Sequence, residues 1–187
     1  MKTIEELKSD VAVAADADGL LDVAYARCDS PLGELLLAAT PRGLVKVGFA
    51  SEAAGALDQL ADRLSPRVLF SPARLDPVRR ELDEYFAGRR HEFDLDLDWR
   101  LSSGFRRRVL RATARIPYGE TSTYTRMASA AGSPRAHRAA GTALGANPLP
   151  IVVPCHRVLR SGGALGGYTG GLEKKQSLLE LEGALSS

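Results

Sequence analysis

The run Pro154-Cys155-His156-Arg157-Val158 is where this chain best supports nucleophilic chemistry. A thiol attacks well only as the thiolate, and a neighbouring imidazole or guanidinium raises the thiolate fraction. Spacing leaves the pairing open. In an extended strand consecutive side chains point to opposite faces, so His156 would not face Cys155. Either the backbone turns, which Pro154 permits, or a water bridges the two. An inert buried cysteine beside a surface histidine fits the same spacing. Cys28 is the only other cysteine, and two cysteines make neither a disulfide framework nor a four-cysteine zinc site. So low a count suits a reducing compartment. Cys28, Cys155, His91, His137 and His156 show no paired ligand spacing, so no metal is expected. The glycine-rich stretch Gly162–Gly171 lacks both a Lys-Ser/Thr ending and a GxGxxG pattern. A nucleotide cradle is therefore unsupported, and no cofactor is expected.

These residues need a frame to hold them. The chain has 187 residues, 44% hydrophobic and 26% charged, the composition of a globular protein able to bury a core. Its net charge of +2 conceals an asymmetry. Residues 1–103 carry 13 Lys+Arg against 19 Asp+Glu, a net of −6, whereas residues 104–187 carry 12 against 4, a net of +8. A basic half suits either a solvated surface or contact with a polyanion such as DNA. The polar, acidic N-terminus lacks an apolar h-region. The longest apolar runs fall far short of the roughly 20 residues that span a bilayer. The protein is expected to be cytoplasmic and to have no membrane partner.

In the first half, Leu20–Arg27 alternates loosely, and Leu35–Ala38 and Leu44–Phe49 flank Thr40-Pro41-Arg42-Gly43, predicting a hairpin. Ser51 is read as the N-cap of a helix to about Leu64. Asp76-Pro77 start a second helix that ends before Gly88. Phe93, Leu95, Leu97 and Trp99 alternate with aspartates, predicting a last strand or extended linker. Residues 1–19, rich in Ala and Asp, are expected to be a disordered extension.

In the second half, Phe105, Val109, Ala112 and Ile116 recur at helical spacing behind the cap Ser103. A helix from Tyr124 to Ala131 ends at Gly132. Another starts at Ser133-Pro134 and stops at Asn147-Pro148, completing a helix-turn-helix outline. That helix is nearly bare: Ala136, Ala139, Ala140, Gly141, Ala143 and Gly145 leave little bulk, while Arg135 and Arg138 project. It is either packed tightly on a neighbour or thin enough for a minor groove roughly 6 Å wide. A last amphipathic helix spans Leu172–Leu181.

Together these residues resemble the O6-alkylguanine-DNA alkyltransferases, the methylated-DNA–protein-cysteine methyltransferases. Carrying the resemblance are Ile116-Pro117-Tyr118-Gly119-Glu120-Thr121, the helix after Ser133-Pro134-Arg135, Asn147-Pro148 and Pro154-Cys155-His156-Arg157-Val158. It continues through Gly167-Tyr168-Thr169-Gly170-Gly171-Leu172-Glu173-Lys174-Lys175 to Glu182-Gly183. The first half matches more loosely, mainly at Asp29-Ser30-Pro31-Leu32-Gly33. The fold implied is α+β: a small N-terminal α/β domain with an antiparallel sheet at 20–98, a linker at 99–103, and a C-terminal winged helix-turn-helix domain at 104–187.

The resemblance also implies direct-reversal DNA repair. Cys155 would take the alkyl group from O6-methylguanine, and from O4-methylthymine, in double-stranded DNA bound through the minor groove by a monomer. The damaged nucleotide is flipped out. Each molecule acts once, because S-methylcysteine is a thioether with no acidic leaving group. His156 would be a base acting through a water, Glu182 its polarising carboxylate, and Asn147 the residue completing that network. Tyr124 would help rotate the nucleotide and give a proton to the leaving guanine. Arg138 would fill the gap left by the extruded base, Tyr168 and Thr169 would wall the guanine pocket, and the Val158 backbone would read the base edge. Ala136, Ala139, Gly141 and Arg135 would lie against the DNA.

The pattern departs at His137 and Thr142, where some relatives keep alanine and glycine. Neither the zinc site nor the cysteine-rich sensor domain of some relatives has its residues here. Two other classes fit parts of the pattern. A damage-binding protein without transfer activity would lack the active cysteine. A Cys–His–Glu hydrolase would not explain the basic helix-turn-helix.

Overall fold

A computed structural model of the chain describes residues 3–50 and 53–185. They form two compact units: the residues up to Glu84 with Asp94–Leu101, and Tyr85–Phe93 with the residues from Ser102 onward. The architecture is a mixed α+β one.

In the first unit β2 (Leu35–Thr40) pairs antiparallel with both β1 (Val23–Cys28) and β3 (Gly43–Phe49). A fourth strand, β4 (Val68–Phe70), pairs in parallel with β1, giving the order β3-β2-β1-β4. The expected antiparallel sheet is therefore corrected to a mixed one. The connection explains it: the helix α2 (Ala53–Arg63) lies between β3 and β4, and a helical crossover delivers a parallel strand where a tight turn cannot. The predicted cap Ser51 lies outside the described residues. Central β2 is buried along Leu35–Ala38, and Val23, Ala38, Val45, Leu60 and Leu101 form a core cluster.

The hairpin turn at Thr40–Gly43 falls where the sequence puts it, with Thr40 paired to Gly43. Gly43 has φ +124°, and a Cβ there would lie 2.2 Å from the carbonyl oxygen of Asp96, so only glycine fits. The segment 93–99 makes one bridge, Leu44 to Leu97, in place of a strand, and Trp99–Leu101 is one 3-10 turn. The extension expected to be disordered is instead helix α1 (Ile4–Ala17). Thr3 and Glu6 cap it reciprocally, each side chain accepting the other's backbone N–H, which satisfies two donors a helix start leaves open. Helix α3 (Asp76–Phe86) begins at the predicted aspartate, and Gly88 follows its end at φ +68°.

In the second unit α4 (Gly104–Thr113), α5 (Tyr124–Ala130) and α6 (His137–Gly145) pack on one another through Val109, Leu110, Met127, Ala128, Ala140 and Leu144. β5 (Ser122–Thr123) and β6 (Val158–Leu159) form a short parallel pair. The last helix, α7, spans Leu172–Leu181, as its amphipathic pattern predicts. Thr123 caps α5, its hydroxyl accepting the N–H of Arg126. α6 starts later than Ser133-Pro134 predicts, because a turn closed by Ala136 N–H on the Ser133 carbonyl comes first. No helix of the described residues is long and apolar enough to cross a membrane.

Candidate active site

Cys155, His156 and Arg157 form one turn of 3-10 helix, with Arg157 N–H bonded to the Pro154 carbonyl at 3.0 Å. The backbone turns at Cys155 and His156, so the alternation of an extended strand does not apply to them. The approach to this turn is braced by Asn147. Its Oδ1 accepts from Leu149 N–H at 3.0 Å, and its Nδ2 donates to the Val153 carbonyl at 2.9 Å. Inside that loop the buried Ile151 sits at φ +74°. A β-branched residue there costs on the order of 1–3 kcal/mol and persists only where its surroundings hold it. Asn147 therefore shapes the loop, and its side chain also hydrogen-bonds to Cys155.

Glu182, just past α7, is the hub. His156 Nε2 lies 2.9 Å from its Oε1. Arg157 grips both carboxylate oxygens at 2.8 Å, and the Tyr85 hydroxyl donates to Oε1 at 2.6 Å. All four residues are buried. Burial pushes the carboxyl up, but the hydrogen bonds from His156 and Arg157 outweigh it and hold Glu182 at about 2. Burial holds His156 below its ordinary range against the pull of Glu182. Its imidazole is thus neutral at pH 7 and donates from Nε2, leaving Nδ1 an acceptor with no partner among the described residues. Tyr118 flanks the cluster, stacked on His91 at 4.1 Å and donating to the Leu181 carbonyl.

Cys155 lines a pocket of about 550 Å³. Tyr124 comes to its wall from α5, His137, Arg138 and Gly141 from α6, and Tyr168 and Thr169 from the glycine-rich loop. Burial pushes the thiol up to about 11, while Asn147 and the Lys175 charge pull it down. At neutral pH it is a thiol and needs a base. Lys175 is itself fully buried, its Nζ donating to the Val158 carbonyl at 2.7 Å, and burial brings it down to about 8. Val158 is buried, with its carbonyl held by that bond.

The bare helix has two sides. Ala140, Ala143 and Leu144 are buried, whereas Arg138, Ala139 and Thr142 are exposed, with Arg135 exposed and Ala136 half-buried just before it. Gly141 packs its Cα side against the Tyr124 ring, and Thr169 Oγ1 ties the loop to the Gly145 carbonyl at 3.0 Å. Arg138 has no ion-pair partner among the described residues. No three His, Cys, Asp or Glu among the described residues gather as metal ligands. Sequence reasoning missed Tyr85 and Lys175, for which residue type and spacing carry no signal. Arg157 did carry one: beside His156, it shares a partner with it once the backbone turns.

Fold and site together define a small α+β protein whose pocket cysteine adjoins a buried His–Glu pair. Residues 104–184 match the DNA-binding domain of 6-O-methylguanine DNA methyltransferase, and residues 23–99 match its ribonuclease-like domain. A methylated-DNA–protein-cysteine methyltransferase from Mycolicibacterium paratuberculosis is 43% identical over 160 residues, 86% of this chain and 92% of that one. A protein of the same name from Methanosarcina barkeri is 40% identical over 158 residues, 84% of this chain and 96% of that one. Mycobacterium tuberculosis OGT, solved in complex with DNA, matches with a TM-score of 0.76 at 39% identity, covering 86% of this chain and 93% of that one. The chain belongs to the 6-O-methylguanine DNA methyltransferase family. Helix α1 lies outside both matched regions.

Proposed function

We propose that Cys155 accepts the alkyl group from O6-methylguanine in DNA, and from O4-methylthymine by the same route, in a single turnover. The activity is that of a methylated-DNA–protein-cysteine S-methyltransferase, a direct-reversal DNA repair reaction. The observation that carries the residue assignment is Cys155 on the wall of an open pocket while its neighbour His156 is locked to Glu182. The thiol gives its proton through a water to His156 Nδ1. Glu182, kept anionic by Arg157 and Tyr85, stabilises the imidazolium that results. The thiolate then attacks the alkyl carbon in line. The Sγ–C bond forms, the C–O6 bond breaks, and its electron pair stays on the guanine, which takes a proton from Tyr124.

DNA binding is read onto the same unit. α4–α6 with the β5–β6 pair and the glycine-rich loop act as a winged helix-turn-helix. α6 enters the minor groove on its exposed side, where Arg135, Ala136, Ala139 and Gly141 offer little bulk and added positive charge. Arg138 takes the place of the flipped base, and Tyr168 and Thr169 wall its pocket. The protein acts as a cytoplasmic monomer.

Incubation with a duplex containing O6-methylguanine, followed by peptide mass spectrometry, tests this. One methyl on Cys155 and unmodified guanine in the DNA are expected. Tight binding with the base still methylated would favour a damage-binding protein. Repeated turnover of an ester or peptide would favour a hydrolase.

A further inference from the structure

Arg160 belongs to none of the roles above, yet it lines the Cys155 pocket and also a second cavity beside Thr123 and Arg126. The parallel register explains its position. β5 and β6 pair Ser122 with Val158 and Thr123 with Leu159, so the residues that follow the two strands are Tyr124 and Arg160. The backbone of Arg160 is committed on both sides. Its N–H bonds to the Ala164 carbonyl at 2.9 Å, and its own carbonyl accepts from Gly163 N–H at 2.9 Å. The side chain is exposed, and its guanidinium has no ion-pair or hydrogen-bond partner among the described residues. Tyr124 is fixed from the other side. A Cβ on Gly166 would lie 2.5 Å from its hydroxyl oxygen, and Gly141 abuts its ring. The backbone of a cationic residue is thus anchored on the same pocket wall as a phenol that cannot easily move away.

We propose that Arg160 is a positioning residue for the transfer step: its guanidinium, beside Tyr124 in the pocket wall, stabilises the phenolate formed as Tyr124 gives its proton to the departing guanine. The role rests on the repair reading of the pocket. In the step, the thiol proton has already gone to His156. The bond to O6 breaks with its electron pair on the guanine, the Tyr124 proton moves to a ring nitrogen, and the negative charge moves to the phenolate oxygen. Solvent later returns the imidazolium proton to Tyr124. Burial holds the Tyr124 phenol above its ordinary range, with the charge of Arg160 working against that and Cys155 adding to it. Without a cation, the phenol would be a weaker acid toward the departing guanine, and transfer would be slower.

The test compares Arg160→Gln and Arg160→Lys, each with and without Tyr124→Phe, on free O6-benzylguanine and on a duplex containing O6-methylguanine. An exposed side chain without a partner should be replaceable without unfolding. Arg160→Gln should slow transfer about tenfold on both substrates, the effect of roughly one pK unit on the phenol, and Arg160→Lys should restore most of the rate. In the Tyr124→Phe background Arg160→Gln should cost nothing further, since the two act as one unit. A loss confined to duplex DNA would make Arg160 a phosphate contact and overturn the proposal. So would a loss that persists in the Tyr124→Phe background, or an unchanged rate. Failure of the unaltered protein to methylate Cys155 would overturn the repair reading, and the proposal with it.

Discussion

At the scale of the residue, the site turns on keeping one carboxylate charged inside the protein. Glu182 is buried among a guanidinium, an imidazole and a phenol, and each donates to it. An unpaired buried carboxylate would protonate, and a protonated Glu182 could not stabilise an imidazolium. Glu182→Gln should therefore slow alkyl transfer by about two orders of magnitude or more in single-turnover assays, the scale of general-base assistance. Tyr85→Phe removes one charged hydrogen bond and leaves the other donors. It should lower stability in urea by about 1.5–3 kcal/mol and slow transfer far less than Glu182→Gln does. The same carboxylate sets an acid limit. Its folded value, about 2, lies below the ordinary 4.5, so its contribution to stability is complete above the ordinary value and is lost as pH falls toward the folded one. Urea midpoints taken from neutral pH down to about pH 3 should fall along that path in the unaltered protein and fall less in Glu182→Gln.

Elements fix where these residues arrive, and they explain what could and could not be read from the chain. Helix α7 and hairpin β2–β3 are local patterns, an amphipathic period and an alternation around Pro-Arg-Gly, and both stand where the sequence puts them. β4 is three apolar residues paired with a strand 45 positions earlier, and no local pattern encodes that partner. Cys155, His156, Glu182, Tyr124 and Arg138 were named by the family resemblance, and the structure puts Cys155, Tyr124 and Arg138 on one pocket and His156 against Glu182. Tyr85 and Lys175 were not, because burial of a phenol or an ammonium depends on contacts distant in the chain. Two glycines let an element-level prediction be made. Gly43→Ala puts a Cβ against the Asp96 backbone at φ +124°, and neither backbone can yield cheaply. It should destabilise the protein by about 2 kcal/mol or more in denaturant unfolding. Gly166→Ala instead forces the Tyr124 hydroxyl aside at φ +68°. Transfer should slow on free O6-benzylguanine as well as on duplex DNA, which rate measurements on both substrates would show.

For the whole molecule, charge is divided by sequence: a net of −6 over residues 1–103 and +8 over 104–187. A polyanion meeting such a chain is held by its basic half and repelled by its acidic one, so attraction to DNA does not need a large net charge. Binding through phosphates releases counterions, and log K then falls linearly with log salt, by roughly 0.9 for each phosphate neutralised. The exposed arginines around α6 can be sorted by this slope. Arg135 precedes the helix and lies outside the Cys155 pocket, a position suited to the backbone of the duplex. Arg138 is exposed and also lines the pocket, a position suited to the space a flipped base leaves. Arg135→Ala should thus lower the salt slope by about 1 and weaken binding to undamaged and damaged duplexes alike. Arg138→Ala should change the slope little but slow repair of O6-methylguanine in duplex DNA more than reaction with free O6-benzylguanine. Fluorescence anisotropy across a salt series, with transfer rates on both substrates, measures the two effects separately. Equal slopes for the two variants, or equal losses by Arg138→Ala on both substrates, would remove the distinction between an arginine that holds the backbone and one that stands in for the base.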